Sequence, residues 1–197
     1  DITDRATAAS KIGDFVRQAG GIDLAILNAG DHRPSDALAF RAGDYARLME
    51  VNYIGTLNCL EPVIAAMKPR GQGQLALVGS LAGHAGLTHA GAYCASKAAV
   101  IRLAETLRVE LSGAGIDVRL VSPGFVETPL TAQNDFPMPF LMSEEAAVQR
   151  IVAGLSRRGF EIAFPVRLAW LIGLLQALPR PLYFRVLRAM VRKDRPA

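Results

Sequence analysis

Cysteine is scarce in this chain: Cys59 and Cys94 are the two in 197 residues. Two thiols cannot build the disulfide framework of a small secreted domain. Both fall in segments that read as helix, so we expect reduced thiols and a cytoplasmic protein. Histidine is equally sparse. His32, His84 and His89 are scattered over loop-like stretches with no Cys/His spacing suited to zinc, and no metal is expected. Asp1 to Ser10 is polar and helix-like, so this stretch is not expected to be a signal peptide. The apolar stretch Leu168 to Leu178 is eleven residues with one polar member, too short to span a bilayer. Internal repeats, linkers and low-complexity tracts are lacking too. What is present is a chain of single-domain length with 51% hydrophobic residues, ample for a core.

The formal net charge of +4 is unevenly placed. Residues 166–197 carry +6, from Arg167, Arg180, Arg185, Arg188, Arg192, Lys193 and Arg195 against Asp194, and residues 1–165 carry −2. Charge confined to one segment suggests a local partner. With no aromatic-interleaved basic groove, a nucleic-acid partner is not expected.

Apolar runs and caps give the coarse order. Thr3 or Asp4 can cap a helix to about Gln18, stopped by Gly20-Gly21. Ile22 to Leu27, Gln74 to Val78, Ile116 to Val121 and Gly159 to Phe164 read as strands. Long helices are expected over 44–68, with a possible kink at Pro62, and over 92–112; Ser143 caps another to about Arg157. Strands alternating with helices predict a doubly wound α/β fold with a parallel sheet. After Pro179-Arg180-Pro181 a helix places Leu182, Val186 and Met190 on one stripe and Arg185, Arg188 and Arg192 on another. That pattern suits a peripheral membrane contact, or packing on the domain or a partner subunit.

The chemistry concentrates in Ser80, Tyr93 and Lys97. Residues four apart share a helix face, so Lys97 can lie beneath the Tyr93 phenol. A nearby cation favours the phenolate and lowers a pKa that is normally near ~10. Ser80 lies thirteen positions before Tyr93 and ends the apolar run Leu75-Ala76-Leu77-Val78. Open α/β sheets bind ligands at that end of a strand. A phenol that exchanges protons near neutral pH suits carbonyl reduction or alcohol oxidation.

These residues keep company with Asn28-Ala29-Gly30, with Asn52 in Val51-Asn52-Tyr53-Ile54-Gly55, and with Pro123-Gly124-Phe125-Val126-Glu127-Thr128-Pro129. The ordered set resembles the short-chain dehydrogenase/reductase family, over nearly the whole chain. The resemblance implies a Rossmann-like sheet and an NAD- or NADP-dependent oxidoreductase acting on a small carbonyl or alcohol. It makes Tyr93 the general acid/base, Lys97 its pKa-lowering partner and ribose ligand, and Ser80 the substrate hydrogen bonder. Asn52 helps hold a relay water. Asn28, Ala29 and Gly30 line the adenosine side, Pro123, Gly124, Val126 and Thr128 receive the nicotinamide, and Asp1-Ile2 resembles a pair that meets the adenine. It also implies a homodimer or homotetramer through the two long helices, where Gly55, Ala95, Ala98 and Ala99 permit close approach.

One part of the family pattern is not found: no glycine-rich phosphate turn occurs in this sequence. The sequence is therefore expected to be a piece, or the ordered part, of a longer chain, with a partial catalytic domain at 1–165 and a basic helical tail at 166–197. A catalytically silent scaffold is the alternative. The Pro-punctuated segment 129–142 is expected to act as a lid, and the lid and tail together favour an apolar substrate.

Overall fold

The computed structural model describes residues 1–134 and 136–193, with side chains as far as Ala189 apart from that of Gln133. Asp194, Arg195 and the side chains of Met190, Arg192 and Lys193 lie outside the described residues.

Capping chemistry fixes the first helix. The Asp4 carboxylate accepts from the Thr7 backbone N–H at 3.1 Å and from its hydroxyl at 2.6 Å, opening α1 (Arg5–Ala19). Gly20 closes it in the left-handed region, φ +77°, where glycine has no Cβ penalty. Four strands follow as one parallel sheet in the order β1 (Leu24–Leu27), β2 (Gly73–Val78), β3 (Ile116–Pro123) and β4 (Glu161–Phe164). The register pairs Leu27 with Leu77, Val78 with Val121, and Pro123 with Phe164.

Helices fill each crossover. Between β1 and β2 run α2 (Ala42–Met49) and α3 (Gly55–Met67); α4 (Gly91–Glu110) joins β2 to β3, and α5 (Glu144–Leu155) joins β3 to β4. Strand alternation divides the core. Leu75 and Leu77 pack against Leu60, Val63, Met67, Val100 and Ile101 of α3 and α4. Ala76 and Val78 face the other way, toward Ala147, Ile151 and Leu155 of α5. Helices on both faces of a parallel sheet make the doubly wound α/β architecture.

The expected single helix over 44–68 is in fact three pieces. A π-helical turn, Glu50–Ile54, separates α2 from α3. Gly55 turns inward rather than toward a second subunit: a Cβ there would lie 2.6 Å from the Ile2 side chain.

The tail folds back as α6 (Val166–Ala177) and α7 (Arg180–Lys193). The buried stripe of α7 is not the one expected from Leu182 and Val186, which stay 48% and 41% exposed. Tyr183 and Leu187, one position on, are buried at 5% and 8%. The Tyr183 hydroxyl decides the choice, because it accepts from the Gly86 backbone N–H at 3.0 Å and so anchors that face to the domain.

Candidate active site

The carboxyl ends of β1, β2 and β3 converge on the first turns of α4. Tyr93 and Lys97 lie there one turn apart. Lys97 is 4% exposed and donates to the Val78 carbonyl at 2.9 Å, with Nζ 5.8 Å from the centre of the Tyr93 ring. Burial alone pulls its pKa down to about 8. Ser80 begins a short 3₁₀ turn, Leu81–His84; its hydroxyl accepts from Ala82 N–H at 3.1 Å and donates to the Pro123 carbonyl at 3.4 Å. That same hydroxyl lies close enough to the Tyr93 phenol to favour its ionised form.

The phenol's pKa runs opposite to the expectation. Burial pushes it up, and the nearby Ser80 hydroxyl only partly opposes this. The Lys97 ammonium, turned to Val78 and itself desolvated, does not offset that burial.

Asn52 is buried inside the π turn. Its Oδ1 accepts from Asp31 N–H at 2.7 Å, and its Nδ2 donates to the Asp31 carbonyl and the Ser96 hydroxyl, both at 2.9 Å. Ser96 in turn donates to the Tyr93 carbonyl at 2.9 Å. Both amide donors of Asn52 are thus engaged by protein. Its side chain holds the loop after β1 to α4.

Asn28, Ala29 and Gly30 are exposed at the end of β1. Gly30 is a close-approach position, since a Cβ would sit 3.2 Å from Asn52 Oδ1 and 3.3 Å from Lys97 Nζ. Gly124 donates to the Phe164 carbonyl at 2.7 Å, and a Cβ there would meet Leu168 at 2.8 Å. Val126 pairs with Met142, while Glu127 N–H donates to the Met142 carbonyl at 2.9 Å and Met142 N–H to the Phe125 carbonyl at 3.0 Å. These contacts clasp both ends of the expected lid. Inside it the Thr128 and Thr131 hydroxyls lie 3.3 Å apart. At the far end of the cleft, Asp1 Oδ1 accepts from Thr3 N–H at 2.9 Å, and the Ile2 carbonyl accepts from Asn58 at 2.9 Å. The structure therefore gathers Gly30, Asn52, Ser80, Tyr93 and Lys97 into one cluster, with Pro123 touching it. Asp1 and Ile2 stand apart from it, Ile2 lying against Gly55 and Asn58 of α3.

Three residues near the cluster were not singled out from sequence. Ser96 had a signal available, as the small polar residue adjacent to Lys97. His32 and Asn134 had none: the His32 ring meets Tyr93 edge-on, centroids 4.8 Å apart, across a separation of 61 positions.

The model of the short chain dehydrogenase family matches residues 1–137. This chain belongs to the short-chain dehydrogenase family. It is 38% identical over 183 residues to an uncharacterized oxidoreductase of Myxococcus xanthus, a match covering 93% of the chain and 72% of that relative. It is 32% identical over 163 residues to a 3-oxoacyl-[acyl-carrier-protein] reductase of Thermotoga maritima, covering 83% of the chain and 64% of the reductase. Among solved structures, a short chain dehydrogenase from Burkholderia cenocepacia in complex with NADP superposes with TM-score 0.82 at 30% identity, over 95% of this chain and 78% of that one. A gluconate 5-dehydrogenase from the same organism, in complex with NADP and tartrate, gives TM-score 0.65 at 28% identity, over 68% and 54%. Membership brings an oxidoreductase fold whose solved neighbours bind a nicotinamide nucleotide. Among the described residues, no helix is long and apolar enough to cross a membrane.

Proposed function

We propose that the protein interconverts a carbonyl and an alcohol with NAD or NADP, Tyr93 being the general acid/base. The observation that carries this is the Ser80 hydroxyl beside the Tyr93 phenol, with the buried Lys97 ammonium 5.8 Å from the centre of the phenol ring. The residues present fit the nicotinamide-ribose end of the cofactor. An ammonium has three donors, and among the described residues Lys97 gives one to Val78, leaving two for ribose hydroxyls. Asn28, Ala29 and Gly30, with Pro123, Gly124, Val126 and Thr128, would flank it, and Asp1-Ile2 would meet the adenine. The bound cofactor supplies or accepts the hydride.

The protein's part is proton handling and position. Ser80 and Tyr93 hold the substrate oxygen between two hydroxyls. Because burial keeps the phenol protonated at neutral pH, Tyr93 enters carbonyl reduction as the donor. Lys97, charged below about pH 8, stabilises the phenolate that results. The segment 129–142, rich in apolar residues and clasped at its ends, excludes water and favours an apolar substrate.

Two surfaces extend the reading. Ala95 and Val109 leave part of α4 open to solvent, which suits a homodimer or homotetramer formed through α3 and α4. Trp170, Leu171 and Leu174 of α6 are 70%, 53% and 61% exposed, and the next helix in sequence, α7, carries exposed Arg185 and Arg188, which suits contact with an anionic membrane surface.

The test is Tyr93→Phe in the full-length protein, followed by oxidation of NADPH and NADH with a panel of ketones. We expect turnover to fall by about 10²–10⁴-fold, with cofactor affinity and unfolding midpoint unchanged. Full activity in the variant would end the mechanism. Wild-type protein that binds neither nucleotide would favour the scaffold alternative.

A further inference from the structure

Ser80 opens a single 3₁₀ turn, Leu81–His84, and His84 closes it. Two bonds inside the turn end on Ser80: Gly83 N–H donates to its carbonyl at 2.9 Å and Ala82 N–H to its hydroxyl at 3.1 Å. Just before the turn, Gly79 N–H donates to the Val121 carbonyl at 2.8 Å and continues the sheet. The far end is tied by a side chain. His84 Nε2 donates to Glu161 Oε1 of β4 at 2.9 Å, and the wholly buried Ser122 hydroxyl of β3 lies 3.5 Å from the same nitrogen.

A carboxylate only accepts, so Nε2 carries the hydrogen. The His84 bond first, and the Ser122 hydroxyl after it, hold the Glu161 carboxyl below its usual range, so it is ionised at neutral pH and the bond is charge-assisted. The two side chains are 17% and 33% exposed, which limits competition from water. Both neighbours of the ring sit at one nitrogen. A relay to a nucleophile needs the acid on the opposite nitrogen, and Ser122 is closed to solvent, so the trio is not a second catalytic centre.

The tie bears on Ser80. A hydroxyl has one hydrogen to donate, so when Ser80 donates to a substrate oxygen its 3.4 Å bond to the Pro123 carbonyl gives way and cannot hold the turn. Leu81 and Ala85 pack with Ile172 and resist lifting of the turn, but apolar contact is non-directional and resists its rotation poorly. The His84–Glu161 bond is directional and acts four residues from Ser80, about 8 Å along a 3₁₀ helix.

We propose that His84 and Glu161 are positioning residues, whose bond keeps the Ser80 hydroxyl aimed at the substrate oxygen once it leaves Pro123. This rests on the reading of Tyr93 given above.

Two measurements on the full-length protein test it. The first is steady-state kinetics with NADPH and NADH on whichever of 2-octanone, acetophenone and cyclohexanone the wild type reduces fastest. His84→Leu and Glu161→Ala should each lower kcat by about tenfold or more, with KM for the nucleotide unchanged. The double variant should be no slower than the slower single one, because both changes remove the same bond. His84→Gln keeps an N–H donor at similar reach and Glu161→Gln keeps an acceptor oxygen, so each should recover kcat to within about threefold of wild type. Unchanged kcat in the apolar variants, a loss confined to KM, or glutamine variants as slow as the apolar ones would overturn the proposal. Should His84→Leu fail to fold, Glu161→Ala, on the outer strand of the sheet, carries the comparison. The second needs no turnover: hydrogen exchange at the Ala82 and Gly83 amides, both bonded to Ser80, is compared with exchange in the middle of α4. His84→Leu or Glu161→Ala should speed the two turn amides by about tenfold or more while α4 keeps its protection, and His84→Gln should not. Unchanged exchange at these amides overturns the proposal whatever kcat does. If no ketone is reduced but the amides respond, the assignment of Tyr93 fails and the anchoring of Ser80 stands.

Discussion

At the scale of single residues, the site is built against its own stability. Lys97 is almost fully enclosed and its pKa falls to about 8 from an ordinary value near 10.5. The unfolded chain therefore binds more protons than the folded one between about pH 8 and 10.5, so stability rises with pH across that window. Below it, a lysine charged in both states carries a penalty on the order of 3 kcal/mol. Lys97→Met removes that penalty but strands the Val78 carbonyl, which costs about 1 kcal/mol. The variant should be more stable than wild type by about 2 kcal/mol at pH 7 and show no gain near pH 10.5, while losing activity. Urea denaturation at the two pH values checks this; a variant less stable at pH 7 would mean that the ammonium is better solvated than its burial implies. Ser80, Tyr93 and Lys97 were legible because their spacing is local and chemical. The raised phenol pKa was not, since it depends on which way the Lys97 ammonium turns. His32 and Asn134 were silent for a similar reason: each reaches the site through a loop whose path no periodicity records.

At the scale of elements, α4 and the turn after β2 meet almost backbone to backbone. A Cβ on Gly83 would lie 2.8 Å from the Lys97 carbonyl carbon and 3.0 Å from the Ala98 nitrogen. Neither atom can swing aside as a side chain does. Gly83→Ala should therefore move α4 relative to Ser80 and destabilise the fold by about 1–3 kcal/mol. Activity should fall further than stability alone explains, because the displaced atoms carry Lys97; thermal unfolding beside kcat at a fully folded temperature separates the two effects. Most element boundaries were readable from caps and apolar runs. Ser143 accepts from Ala146 N–H at 3.3 Å as its sequence context suggests, and Gly20 ends α1. The orientation of α7 was not readable, since its apolar residues occupy more than one face and the Tyr183 bond to Gly86 favours one of them.

At the scale of the whole molecule, the tail has two opposed sides. Ile172, Tyr183 and Leu187 are buried, whereas Trp170, Leu174, Phe184 and Val186 are exposed, as are Arg185 and Arg188. Co-sedimentation with anionic lipid vesicles should show binding that weakens as salt is raised, because the Debye length shrinks from about 10 Å at 0.1 M to about 3 Å at 1 M. Trp170→Ser should reduce that binding without unfolding the protein; no binding at low salt would leave these side chains to a protein partner. The π turn at Glu50–Ile54 acts over a longer range. Each residue advances an α-helix by about 100°. The turn aims the Asn52 amide at Asp31 and Ser96, while farther along Leu60, Val63 and Met67 reach the sheet. Losing one codon between Asp44 and Leu60 would straighten the helix and leave one of those two sets facing the wrong way. Insertions and deletions should therefore be tolerated in the exposed loop 33–41 and purged from 44–60. In an alignment of relatives, that second stretch should run without gaps even where its side chains differ.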